Sequence, residues 1–304
     1  MIVKATADQI SEIKQMWKIC FPDEDTRYVD FYFKNCFRPE DCFVMIREGK
    51  IISMAIRAPH AIMFNGRVLR TSMILGVATL PEHRHHGYMH DILNIIIDAC
   101  EHTELVTLIR TETPALYEPY GFRYVYYRTQ YRLERSDVHR VTNFGCAYEP
   151  GSLDLMKVYS AFIRRFNGFY PRTLEYFVNL KKEIKARNGK IVAYYNGKDQ
   201  IQGYIVMVPQ GDEIMAEEIV YLDSVALLKL CNAALQEKNI VNLFVSQAED
   251  LSVAFPRAKK ITFPSTMVRL NDPQLFSKVF HEEVSDVESA FAITKKPLNL
   301  NEWE

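Results

Sequence analysis

Arg84, His85, His86 and Gly87 stand between two apolar patterns of different period. Before them Ile74, Leu75, Val77 and Leu80 form a run that Pro81 stops. After them Met89, Ile92, Leu93, Ile96, Ala99 and Cys100 recur at helical spacing. The pattern predicts a buried strand, a short loop and a helix. A helix that starts directly after a glycine leaves its first backbone N–H groups unpaired beside the positive end of its dipole. Such a place binds anions, and two adjacent phosphates are its usual occupant. Arg84 adds a fixed charge at the rim, and Gly87 lets a ligand approach the backbone closely.

Two motifs carry a resemblance. Pro81-Glu82-His83-Arg84-His85-His86-Gly87-Tyr88-Met89 resembles the R-x-x-G-x-(small or aliphatic) pyrophosphate loop of the GNAT acetyltransferases. Further along, Leu116-Tyr117-Glu118-Pro119-Tyr120-Gly121-Phe122 is similar to the F/L-Y-x-x-x-G-F motif of the same family. Met89 stands where most members carry Gly or Ala. A loop that acts through backbone N–H groups is compatible with a larger side chain pointing outward. Leu or Met at this position is familiar among the Eis-like (enhanced-intracellular-survival) proteins, the branch this chain resembles.

The resemblance implies acetyl-CoA as acyl donor, with Arg84, His85, His86, Gly87, Tyr88 and Met89 around its pyrophosphate. It also implies a distorted strand whose free backbone groups pair with the pantetheine amides. Val77, Ala78 and Thr79 are placed for that role, and Gly76 favours a bulge. Tyr117 is the candidate general acid, because a phenol of pKa about 10 keeps its proton at neutral pH and can pass it to a thiolate of pKa about 8.5. Tyr120 is the neighbouring alternative, at a packing position before Gly121-Phe122.

Several groups compete as general base. Glu112 could act directly or through water, whereas Asp23, Glu24 and Asp25 suit attraction of a cationic amine better than its deprotonation. In Eis-like proteins the C-terminal carboxylate of the chain enters the active site, which here implies Glu304, with Trp303 as the aromatic anchor of the tail. His83, His85, His86 and His90 suggest a metal, with His86 and His90 at i, i+4. No neighbouring carboxylate or cysteine completes such a site, so no metal is expected.

The elements that must position these residues follow in order. Strand Ile2–Thr6, helices Asp8–Cys20 and Tyr28–Phe37, and strands Cys42–Arg47 and Ile51–Pro59 come first. Ala61–Phe64 and the strand from Val68 flank Asn65-Gly66, a strong hairpin signal. Strand Leu105–Arg110, a short helix Pro114–Tyr120 and strand Arg123–Leu133 close this half. From Ser136 the order coarsely repeats: helices Leu153–Phe166 and Leu174–Lys185, a hairpin about Asn196-Gly197, strand Glu217–Leu222, helix Val225–Gln236 and strand Ile240–Val245. The second strand-to-helix passage, Leu222-Asp223-Ser224-Val225, has neither glycine nor arginine. The fold class expected is α/β (α+β), with tandem GNAT-like folds, each a mixed, mostly antiparallel sheet flanked by helices. The domains expected are 1–135, catalytic and binding acetyl-CoA; 136–266, a degenerate second copy; and 267–304, a truncated sterol-carrier-like remnant with helix Gln274–Phe280 and a short strand Phe291–Thr294.

Composition restricts the rest. The 304 residues carry 37 Lys+Arg against 38 Asp+Glu, a net charge of −1, so no global field draws nucleic acid or anionic lipid. Five arginines interleaved with tyrosines over Arg123–Arg140 read as one solvated strand face. The six cysteines lack C-x-x-C spacing and read as buried free thiols. The N-terminus lacks a signal-peptide pattern, and no apolar run reaches the ~18 residues of a membrane span, so a cytoplasmic protein is expected. The expected activity is acetyl transfer from acetyl-CoA to a primary amine, on a small molecule or a peptide, by direct attack. No nucleic-acid or membrane partner is expected, and oligomerisation is left open. The alternatives are a non-catalytic acyl-CoA-binding regulatory module and an aminoacyl-tRNA-dependent transferase on a tandem GNAT fold.

Overall fold

The computed structural model describes residues 1–301. The chain forms two compact units, residues 1–125 with 265–295, and residues 126–264 with 296–301. In chain order the elements are β1 (Ile2–Lys4), α1 (Ile10–Cys20), α2 (Thr26–Asn35), β2 (Cys42–Arg47), β3 (Lys50–Phe64), β4 (Arg67–Thr79), α3 (Tyr88–Glu101), β5 (Val106–Arg110) and β6 (Arg123–Glu134). Then come β7 (Cys146–Tyr148), α4 (Ser152–Phe162), β8 (Asn167–Phe169), α5 (Leu174–Ala186), β9 (Lys190–Tyr195), β10 (Ile201–Gln210), β11 (Glu213–Tyr221), α6 (Ser224–Glu237) and β12 (Ile240–Ser246). The last elements are β13 (Lys259–Leu270), α7 (Pro273–Phe280), α8 (Val287–Ala292) and β14 (Leu298–Asn299). The fold class is mixed α/β, with mostly antiparallel sheet flanked by helices.

In the first unit the strand order is β1-β2-β3-β4-β5-β13. All neighbours are antiparallel except β4 and β5, the pair that α3 connects. Alternation along β4 sends successive side chains to opposite faces. Ile74 joins the core under α3, with Ile92, Leu93, Ile96, Ile109 and Phe122. Leu75 joins the core under α1 and α2, with Ile13, Met16, Trp17, Val29 and Phe33. The functional strand is thus packed from both sides, which fixes its register.

In the second unit the order is β6-β12-β11-β10-β9-β7, and again one pair is parallel, β11 with β12, connected by α6. A separate core of Leu155, Phe162, Phe177, Tyr204, Leu230 and Leu243 fills it.

Two of the expected strands are corrected. The two strands expected at Ile51–Pro59 and Ala61–Phe64 are one, because Pro59 pairs with Ser72 of β4 beyond Ile56, where β2 ends. Its missing N–H therefore removes no bond of the β2–β3 ladder. Where a strand is expected at Phe291–Thr294, Phe291 and Ala292 instead end α8, because Asp286 and Ser289 form a reciprocal cap that starts a helix. Phe291 serves that helix as an anchor, its ring 5.0 Å from that of Phe64. Residues 267–270 belong to β13, whose Thr266–Leu270 segment pairs antiparallel with β5. All six cysteines are free, but only Cys42, Cys100 and Cys231 are buried, and Cys36 is exposed.

Candidate active site

The site is built on a fork. β4 pairs with β5 only at Met73 and Ile74, while on its other side it stays paired with β3 as far as Thr79. Past Ile74 the β5 side of β4 has no strand partner among the described residues. At the same point the β3–β4 register shifts: Ile56 faces Leu75 and Met54 faces Ala78, so Gly76 and Val77 oppose Ala55 alone. This is a β-bulge, and it bends the strand where the pairing with β5 stops. Gly76 takes φ +59, a conformation glycine adopts without strain. Its missing side chain is used as well: a Cβ there would stand 2.4 Å from Trp17 Cζ3. Beyond the bulge Ala78 is buried and Thr79 is tied by its hydroxyl to Ser53, 2.9 Å away.

The bent strand runs into the loop. His85 (φ +65) and Gly87 (φ +82) are both left-handed, and Gly87 is the N-cap of α3. The N–H of Arg84 still bonds to the Pro81 carbonyl, and the next capped turn begins with Asp91 N–H to Gly87 O. Between them the N–H groups of His85, His86, Gly87, Tyr88 and Met89 find no acceptor among the described residues. Left-handed residues alternating with extended or helical ones turn such N–H groups toward a common point and create an anion nest. Nothing lies within 4 Å of where a Gly87 Cβ would be, so the nest is open. The Arg84 guanidinium is held back at the rim, with Nε donating to the Thr79 carbonyl at 3.1 Å.

Tyr117 lies between two short 3₁₀ turns, Pro114–Leu116 and Glu118–Tyr120, rather than in the single short helix expected. Its ring is 6% exposed and packs edge-on against Phe122. Its hydroxyl donates to no described residue. Burial, with a smaller contribution from Tyr120, pushes its pKa up to about 12. Tyr120 is bound differently. Its hydroxyl is 2.7 Å from His90 Nδ1, and His90 Nε2 is 2.9 Å from the Asn94 amide, which joins the motif to α3.

Sequence reasoning missed two neighbours of this machinery. Arg47, at the end of β2, reaches the Tyr88 hydroxyl and stacks on its ring at 5.4 Å, which brings a second guanidinium beside the nest. Trp17 donates from Nε1 to Glu24 Oε2 at 2.7 Å, so one indole links the bulge to the α1–α2 loop. Neither pairing has a local sequence signal, since the partners are distant strands and helices. Of the expected bases, Glu112 is exposed in the loop after β5, and Glu304 lies outside the described residues, as does Trp303. Among the described residues no group of three or more His, Cys, Asp or Glu is placed to hold a metal ion.

The matching junction in the second unit is arranged otherwise. Asp223 caps α6 with its own carboxylate, 2.8 Å from the Ala226 N–H, and so fills the helix start with a negative charge. A cavity of about 880 Å³ beside it is lined by Arg165, Tyr221, Asp223, Leu227, Asp250 and Arg257.

Comparison with known structures agrees with this geometry at the level of fold. A protein from Enterococcus faecalis V583, described as a "probable N-acyltransferase", superposes with a TM-score of 0.76 at 16% identity, over 91% of this chain and 74% of the other. Eis1 from Mycobacterium abscessus gives 0.67 at 14% identity, over 91% and 75%. A tandem GNAT protein from the clavulanic acid biosynthesis pathway gives 0.57 at 11% identity, over 90% and 98%. No curated protein matches the chain. The family model described as an acetyltransferase (GNAT) domain matches residues 1–125, the segment that holds the fork, the nest and Tyr117.

Proposed function

We propose that the first unit binds acetyl-CoA and transfers its acetyl group to a primary amine by direct attack. The observation that carries this reading is the run of unpaired N–H groups from His85 to Met89, opening directly beyond a strand that bends away from its parallel neighbour. A diphosphate would accept the N–H groups, with Arg84 and Arg47 at the rim. An extended chain of amides leading away from it would pair with the free side of Gly76–Thr79, as a missing strand does. That leaves the thioester near the fork.

Tyr117 supports turnover rather than binding alone. A phenol held at about 12 stays protonated at neutral pH, so its hydroxyl can donate a hydrogen bond to a departing thiolate. Direct attack is supported by the state of the thiol that meets the end of β4. Cys20 Sγ lies 3.6 Å from the Thr79 carbonyl, and burial raises its pKa despite the nearby Arg84, so it remains a thiol and a poor nucleophile. Amines on small molecules and on peptides both fit this chemistry. The reading is tested by a panel of primary amines with acetyl-CoA, following free thiol and acetylated product. Release of thiol without acetyl-amine, or no stabilisation of the protein by millimolar CoA, would overturn it.

A further inference from the structure

We propose that the second unit carries a binding site for a phosphate monoester on a compact ring, in the cavity between the end of α5 and the edge of its sheet. The site lies outside the segment that holds the nest and Tyr117, and it does not rest on the acetyl-transfer reading. A cavity of about 320 Å³ opens there, within the size range that receives small ligands. Lys181, Lys182 and Lys185 of α5, Lys190 at the start of β9, Tyr148 of β7 and Glu149 line it. Its floor is apolar, since Ile184 and Ile191 also line it and are 1% and 4% exposed.

The first observation is an excess of charge. Lys190 is paired with Glu237 at 2.6 Å. The other three lysines have no acidic partner among the described residues. Lys181 donates to the Pro150 carbonyl at 2.7 Å and Lys182 to Asn179 Oδ1 at 3.4 Å, while Lys185 has no described partner. Glu149 is the one carboxylate on the lining, so three lysines less one glutamate leave two positive charges in excess. A phosphate monoester carries about −1.5 to −2 at neutral pH and matches that excess better than a carboxylate does. The chain as a whole has a net charge of −1, so the excess is local, and the apolar walls of the cleft focus its field.

Lysines near a helix C-terminus ordinarily offset its dipole and cap its last carbonyls. Here the backbone already supplies the caps. The N–H groups of Arg187, Asn188 and Gly189 donate to the carbonyls of Glu183, Lys185 and Ile184, at 3.0, 3.1 and 2.7 Å. The ammonium groups are therefore left for another acceptor. The walls around them are fixed as well. A Cβ on Gly189 would stand 2.5 Å from the Met207 carbonyl, and the Glu149 N–H donates to the Ile191 carbonyl at 3.1 Å. A cavity held in this way receives a ligand without the entropy cost of ordering a loop.

The second observation is an aromatic wall. Tyr148 is 46% exposed at the cavity, and Lys190 Nζ stands 5.8 Å from its ring centroid. One aromatic ring and two aliphatic side chains suit the body of a single compact ring. Three ammonium groups on flexible stems suit its phosphate, which lysine binds as a point charge. An aryl phosphate and a sugar phosphate share this chemistry, and the experiment separates them.

The test is calorimetry on the full chain with phenyl phosphate, ribose 5-phosphate and inorganic phosphate. It is run on wild type, Gly87→Asp, the pair Lys182→Gln with Lys185→Gln, and Tyr148→Ala. Gly87→Asp keeps phosphate out of the nest, so binding that survives it belongs to another site. In that variant one ester should bind per chain, roughly tenfold or more tighter than inorganic phosphate because its ring is buried. Preference for phenyl phosphate identifies an aryl carrier, and preference for ribose 5-phosphate a sugar. The lysine pair variant should lose about tenfold or more in affinity for the ester. Both lysines are exposed, so its melting temperature should match wild type. Tyr148→Ala should remove the advantage of the ester over inorganic phosphate. Equal binding of inorganic phosphate and both esters, no ester binding in Gly87→Asp, or binding indifferent to the lysines would each overturn the proposal.

Discussion

Trp17 and Gly76 meet across the sheet with no room between them: a Cβ on Gly76 would stand 2.4 Å from the indole, and the backbone there is left-handed at φ +59. The contact sets the depth of the bulge and the direction in which the end of β4 points. Gly76→Ala should therefore destabilise the first unit twice over, by backbone strain and by displacing a buried ring, for a total of about 2–4 kcal/mol. Gly49 and Gly66 are also left-handed but face open space, so alanine there should cost only about 1 kcal/mol. Denaturant unfolding of the three variants checks the ordering, and equal losses would mean that the indole contact contributes nothing.

Gly87→Asp should abolish CoA binding while leaving the fold intact. Open space around Gly87 admits the side chain, and aspartate tolerates positive φ better than most residues. Its carboxylate would stand in the anion nest and repel a diphosphate. The measurement is thermal shift with and without CoA: the apo melting temperature should fall only slightly, and the ligand-induced rise should vanish.

Tyr117→Phe should lower turnover by roughly tenfold to a thousandfold with little change in CoA affinity, since only the departing thiolate needs the hydroxyl. The raised pKa adds a pH signature. The folded phenol ionises near 12 and the unfolded one near 10, so the folded state keeps its proton longer. Stability from this group is complete below pH 10 and declines as pH rises toward 12. Urea midpoints across that range should fall more steeply for wild type than for Tyr117→Phe.

In the second unit Arg172 lies between the rings of Tyr159 and Tyr176, at 4.4 and 4.5 Å, with Nη1 donating to Glu218 at 2.6 Å and Nη2 to the Asn301 carbonyl at 2.8 Å. Tyr204 donates to the other oxygen of Glu218 at 2.8 Å. Arg172→Ala should cost about 3–5 kcal/mol, because it strands a buried carboxylate. The double variant Arg172→Met with Glu218→Leu should recover most of that loss in a melting experiment. If both variants melt alike, the ion pair is not what the arginine contributes.

Calorimetry should give one CoA per chain. Asp223 already supplies the negative charge that the start of α6 favours, and a diphosphate there would meet a fixed carboxylate. Two equivalent sites per chain would contradict this.

The sequence by itself determined what depends on neighbours along the chain. The 3.6-residue stripe of α3, the glycine before it and Asn65-Gly66 are local signals, and the elements stand where those signals place them. Gly76 at a bulge was legible for the same reason, since glycine in an apolar strand marks a place where the pleat is broken. Errors arose where a local signal was outweighed by a distant partner. Pro59 looked like a strand end but sits beyond the reach of β2, and Phe291 looked like a strand residue but is buried against Phe64. Only the tertiary structure decided which residues, far apart in the chain, share the site. The indole that spans Gly76 and Glu24, Arg47 on Tyr88, His90 on Tyr120 and the return of β13 to pair with β5 are long-range contacts between side chains or strands. Their spacing in sequence carries no period, so nothing short of folding the chain brings them together.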